Sequence, residues 1–130
     1  MSSTNSQLLD QFYAAVKAAD ATALARCVTP EFELHWQGTA AIPWAGTWHG
    51  VPGLLDFFQK LNAHIVVLGI ERLHYLENDT LTVVVLQGHW KRKADGREIK
   101  AMAANLFTFG QGKISRYTVL NNSAAFLSSS

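Results

Sequence analysis

The chain has 130 residues, 48% of them hydrophobic and 16% charged, with a net charge of +1. That is the size of one domain with a full core, so residues 1–130 read as a single domain. The weak charge balance argues against a nucleic-acid face, since the nearest basic run, Lys91-Arg92-Lys93, sits beside an Asp-Gly turn as a solvated hairpin tip. One cysteine, Cys27, leaves no intrachain disulfide, and no Cys/His spacing of the zinc kind occurs, so neither a metal nor a cofactor is expected. A polar stretch from Met1 to Gln7 and the lack of any apolar run of roughly 20 residues predict no signal segment, no membrane span and a cytoplasmic address.

In chain order, Ser6 to Ala19 carries Leu8, Leu9, Phe12, Tyr13 and Val16 at helical spacing and predicts an amphipathic helix. Asp20 suits the N-cap of a second short helix over Ala21 to Cys27, with Pro30 as its stop. Phe32 to Gln37 predicts a strand. A third helix begins near Val51-Pro52, where proline fits the first turn, and runs through Leu54, Leu55, Phe57, Phe58 and Leu61. Four strands follow, over Ile65 to Leu76, Leu81 to Lys93, Glu98 to Phe109 and Lys113 to Asn121, separated by turns at Asn78-Asp79, Asp95-Gly96 and Gly110-Gln111-Gly112. Helices first and a meander afterwards predict an α+β fold with helices on one face of the sheet. The Ser128-Ser129-Ser130 tail is expected to fray.

Turn chemistry predicts the inner face. A two-residue Asp95-Gly96 turn pairs Trp90 with Ala101, Gly88 with Ala103, Leu86 with Asn105 and Val84 with Phe107. A following turn pairing Phe109 with Lys113 sets Asn105 opposite Tyr117, Ala103 opposite Val119 and Ala101 opposite Asn121. Trp90, Asn105, Tyr117 and Asn121 then share a face with small Gly88, Ala101 and Ala103, which suggests a concave pocket with a few polar groups. Asn105 stands in the apolar run Ala101 to Phe109, so it is either tied into an internal network or aimed at a ligand. The opposite face, with Val83, Val85, His89, Met102, Ala104 and Leu106, is too apolar to lie open, so a second subunit or a crossing sheet is expected to cover it.

The helix ending Lys17-Ala18-Ala19-Asp20, the Thr29-Pro30-Glu31-Phe32 approach to the first strand, the Trp44 to Gly50 loop and the Phe107 to Ile114 hairpin together resemble the SnoaL-like branch of the nuclear transport factor 2-like superfamily. The resemblance spans nearly the whole chain. It implies a cystatin-like cone, a curved and mostly antiparallel sheet wrapped around a long N-terminal helix, commonly dimeric, with a pocket inside. It also implies chemistry of the isomerase or polyketide cyclase type, without fixing the reaction. Ketosteroid isomerases resembling it use an Asp base with an oxyanion hole of Tyr and protonated Asp. Here the base position falls on Trp36, the Tyr on Phe12 or Tyr13, and the protonated acid on Asn105. The acidic position on the last strand of polyketide cyclases and limonene epoxide hydrolases falls on Val119. An amide can donate to an enolate-like oxygen as a neutral acid does.

These readings name Asn105, Tyr117 and His49 as catalytic candidates, His49 as a base in the loop at the pocket mouth. Phe12, Tyr13, Trp36, Trp44, Trp48, Phe57, Trp90, Val119 and Asn121 are the ligand-binding candidates. The expected partners are a small apolar or aromatic molecule and, through the outer sheet face, a second copy of the chain. Three functions stay open: an isomerase or cyclase acting on a polyketide, steroid or isoprenoid-like molecule, a non-catalytic binding domain for such a molecule, and a scaffold whose cone is plugged by its own side chains.

Overall fold

Apolar spacing, capping and turn residues produce three helices and six strands in the computed structural model, which describes residues 4–121 and residue 126. The helices are α1 (Thr4–Ala18), α2 (Ala21–Cys27) and α3 (Gly50–His64). The strands are β1 (Val28–Trp36), β2 (Gly46–His49), β3 (Ile65–Glu77), β4 (Leu81–Arg92), β5 (Glu98–Gly110) and β6 (Lys113–Asn121). They form one curved sheet in the order β2-β1-β6-β5-β4-β3, in which only β1 and β6 run parallel. The Ser128-Ser129-Ser130 tail lies outside the described residues.

Local chemistry explains the helix ends. Helix α1 closes with Ala19 at φ +53°, where the Ala19 N–H donates to Val16 O and the Asp20 N–H to Ala15 O. These two bonds make a Schellman end, with alanine in the left-handed position that glycine usually takes. Asp20 then caps α2, its carboxylate accepting from the Ala23 N–H at 3.1 Å. Pro30 is not the stop that the sequence predicts: α2 has already ended at Cys27, and Pro30 lies inside β1. It sits where the register with β6 shifts between Val28 and Glu33, a position where a missing N–H does least harm to a ladder.

Both hairpin registers differ from the expected ones by two residues. Trp90 pairs with Ile99, Gly88 with Ala101, Leu86 with Ala103 and Val84 with Asn105. The loop is longer than Asp95-Gly96 alone, because the Asp95 carboxylate takes both the Arg92 guanidinium and the Arg97 N–H, closing the hairpin between Arg92 and Arg97. On the other side Asn105 faces Val119, not Tyr117, Ala103 faces Asn121, and Phe107 faces Tyr117. There the turn is Gln111-Gly112, both at positive φ, with an irregularity between Thr108 and Phe109. A shift of two preserves side-chain parity, so each residue keeps its predicted face.

Helices α1 and α3 fill the concave side. Phe12, wholly buried, packs edge-on against Phe107 and Tyr117, whose rings stack at 4.4 Å. Leu54 and Phe57 seal α3 against the sheet. The convex face divides. Its β1–β2 end is polar, with Glu33 paired to Arg116 and His49, while Leu76, Met102 and Leu120 are exposed over the other strands. No helix among the described residues is long and apolar enough to cross a membrane.

Candidate functional site

A cavity of about 420 Å³ lies between the concave sheet and the two long helices. That volume suits a drug-sized molecule. Tyr13 enters from α1, Phe57, Phe58 and Leu61 from α3, and Phe126 closes one end. The floor comes from inner-face rows of the sheet, such as Arg72, Leu86, Ala103 and Asn121 side by side on β3 to β6. The next row carries Val84, Asn105, Val119 and Trp36.

The structure brings eight of the twelve sequence candidates to this cavity: Tyr13, Trp36, Phe57, Trp90, Asn105, Tyr117, Val119 and Asn121 all line it. Four stand elsewhere. Phe12 is sealed in the aromatic core beside the cavity, against Phe32, Phe107 and Tyr117. Trp48 packs on Phe57 and donates its indole N–H to Trp44 O at 3.1 Å. Trp44 lines a smaller hollow of about 110 Å³ beside His64 and Phe126. His49 is not at a pocket mouth: the loop that was expected there forms β2, which turns its ring to the convex face, 71% exposed and 3.6 Å from Glu33.

Asn105 is 7% exposed and lines the cavity beside Tyr13, close enough for its amide to favour the ionised form of that phenol. Burial pushes the Tyr13 phenol above its ordinary range, opposed by the Asn105 amide and by the charge of Arg72. Burial pushes Tyr117 up further, helped by its neighbour Tyr13. Both phenols therefore stay protonated and act as donors rather than bases. Asn121 gives its amide N–H to Gln37 O at 3.2 Å and leaves its buried Oδ1 without a partner. Among the described lining residues there is no Asp, Glu or His.

Gly88 does not leave the open space that small residues on this face suggested. A Cβ there would fall 2.0 Å from Cη2 and 2.2 Å from Cζ2 of Trp90. The indole thus lies flat along the strand over Gly88, and glycine permits that approach. Ala103 does leave room, on the cavity floor between Leu86 and Asn121.

Sequence reasoning missed two lining residues of consequence. Phe126 packs among Trp36, Trp44 and Trp90 at centroid distances of 5.2 to 5.7 Å; its signal was a short apolar run after the last strand. Arg72 reaches the inner face because β3 is irregular between Val67 and Gly69, which reverses the alternation before it.

None of the curated proteins matches the chain. Among solved structures, it is similar to an NTF2-like protein from Burkholderia xenovorans LB400, with a TM-score of 0.86 at 20% identity over 95% of this chain and 93% of that one. A protein from Mesorhizobium loti described as a SnoaL-like polyketide cyclase aligns with a TM-score of 0.67 at 18% identity, over 90% and 98%. One from Bacillus subtilis described as an isomerase aligns at 0.73 and 13% identity, over 94% and 88%. At these identities the likeness establishes the fold, an NTF2-like cone. The SnoaL-like domain model matches residues 9–117, and the chain belongs to the SnoaL-like domain family.

Proposed function

We propose that the cone binds a flat, largely apolar small molecule of polyketide, steroid or isoprenoid type and acts on it as an isomerase or cyclase. In this reading neutral donors stabilise negative charge on a substrate oxygen. The observation that carries it is the Tyr13–Asn105 pair, two neutral hydrogen-bonding groups side by side on the wall of a largely apolar cavity. An amide has two donors and two acceptor lone pairs, so Asn105 has capacity for a ligand beside any contact with Tyr13. Tyr117, held protonated by burial, lies on the same face one row away. Donors fixed in a dry site act most strongly on charge that forms during reaction. Structural neighbours described as an isomerase and a polyketide cyclase support the reaction class. With His49 on the convex face, a water in the cavity takes the substrate proton and returns it at the new position, while the neutral donors hold the negative oxygen in between.

A second reading, a binding domain without chemistry, is favoured by one observation: no acid or imidazole stands among the described lining residues. Exchange of the C1 protons of 2-tetralone in D₂O, followed by NMR, separates the two. The enzyme reading expects exchange faster than in buffer, with Asn105→Ala slowing it by about 10²-fold or more while affinity changes far less. Binding with exchange at the buffer rate would select the binding domain, and no binding at all would overturn both.

The proposal includes a homodimer closed through the convex face, where Leu76, Met102 and Leu120 are 64%, 53% and 40% exposed. Apolar area of that kind commonly marks an association surface.

A further inference from the structure

Arg72 is solvent-exposed on the β3 side of the cavity and is the one cation among the described lining residues. Its guanidinium carbon stands 5.3 Å from the centroid of the Tyr75 ring, which orients it, and the residue lines the cavity on the β3 side. Among the described residues the four ion pairs are His49–Glu33, His89–Glu98, Arg92–Asp95 and Arg116–Glu33, and Arg72 takes part in none. No other described lining residue carries a formal charge. The neighbouring groups facing the cavity, Tyr13, Asn105 and Asn121, are neutral and hydrogen-bonding. The rest of the wall, including Trp36, Trp90, Val119 and Leu86, is apolar.

We propose that the molecule held in the cone is an organic anion, its ionised oxygen on Arg72 at the β3 edge and its apolar rings against Trp90 and Val119. This rests on the reading of the cone as a ligand cavity and narrows the ligand to a carboxylate or an acidic enol. The chemistry follows from guanidinium geometry. A planar fork of N–H donors binds an anionic oxygen through two parallel hydrogen bonds, and such charge-assisted bonds are about twice as strong as neutral ones. A cavity whose described lining has one cation and no carboxylate selects against cations and gains little from a neutral molecule at that edge. Tyr13, whose phenol lies within the field of Arg72, adds a donor for the same oxygen. An enolate formed in the cone would draw on the same pair.

A matched pair of probes tests this: 8-anilinonaphthalene-1-sulfonate, an anion, and N-phenyl-1-naphthylamine, the same ring system without the sulfonate. Fluorescence titration of the full chain is expected to show both binding. Arg72→Gln should weaken the anion by about 10- to 100-fold, the range for a lost charge-assisted hydrogen bond, and leave the neutral probe unchanged. Arg72→Lys should recover part of the loss, and 2-naphthoate should displace the anion from the unaltered protein. Ala103→Leu, which fills the floor, should weaken both probes alike, whereas Lys100→Gln, an exposed cation outside the cavity, should alter neither. Equal losses of both probes in Arg72→Gln, or none for the anion, would overturn the anion assignment while leaving the cavity reading intact. If neither probe binds the unaltered protein, or Ala103→Leu has no effect, the cavity reading itself fails and the assignment with it.

Discussion

Gly88→Ala probes the floor of the cone at its tightest point. The added Cβ would lie 2.0, 2.2 and 2.6 Å from Cη2, Cζ2 and Cζ3 of Trp90. Carbon atoms rest about 3.5–4.0 Å apart, so the rigid indole must withdraw by roughly 1.5 Å. Overpacking of this kind costs about 1–3 kcal/mol, offset by about 0.5–1 kcal/mol because alanine suits a strand better than glycine. The net loss is therefore between about 0 and 2.5 kcal/mol. The indole is half-buried, with Phe126 5.2 Å away on one side and the cavity on the other, so withdrawal takes it into the space a ligand would use. Thermal unfolding should fall by a few degrees, while affinity for an aromatic probe falls more steeply. Trp90→Ala in the same chain should relieve the crowding, making the double variant more stable than the sum of the two single effects. Gly110→Ala, with nothing within 4 Å of the new methyl, serves as the control and should be neutral or slightly stabilising. Gly88→Ala with unchanged melting, unchanged tryptophan emission and unchanged probe affinity would refute the account of the floor.

Two further outcomes follow from the hairpin loop and the convex face. The Arg92 guanidinium and the Arg97 N–H hold the Asp95 carboxyl at about 2, below its ordinary 3.8. Because the folded value is the lower one, the loop's support is complete above pH 4 and is lost as pH falls through 2; carboxyl NMR should show that midpoint, and Arg92→Ala should return it towards 3.8. For the convex face, Met102→Lys combined with Leu120→Lys should convert a dimer to a monomer in analytical ultracentrifugation, since both side chains are exposed on adjoining strands. A native protein that sediments as a monomer would remove the dimer from the proposal.

Which side chains face inward was legible on the regular strands, because period-two alternation on β4, β5 and β6 survives any even slip of register. The partners across the sheet were not. The Asp-Gly dipeptide looked like a whole turn, but Asp95 recruits Arg92 and Arg97 into a wider loop and so moves every pair by two. Strand β3 shows the opposite failure: its span was readable, but two irregularities reverse the alternation twice. Plain alternation from Ile65 sends Arg72 outward, whereas the structure turns it into the cavity. Four residues at Gly46–His49 carry too short a pattern to reveal an edge strand, and that is why His49 looked like a loop residue near the site. Gly88 was recognised as small, yet no pattern in the chain says that the indole two residues later lies down on it.

The central claim is that the cone is a ligand cavity in which its polar groups, Arg72, Asn105 and Tyr13, meet an oxygen of the bound molecule. The most direct measurement is a crystal structure of the protein grown with 2-naphthoate. The account requires the naphthalene rings between Trp90 and Val119, with an oxygen within hydrogen-bonding distance of Arg72, Asn105 or Tyr13. Electron density for the compound only outside the cone, with Trp90 and Phe126 closing over an empty floor, would contradict it.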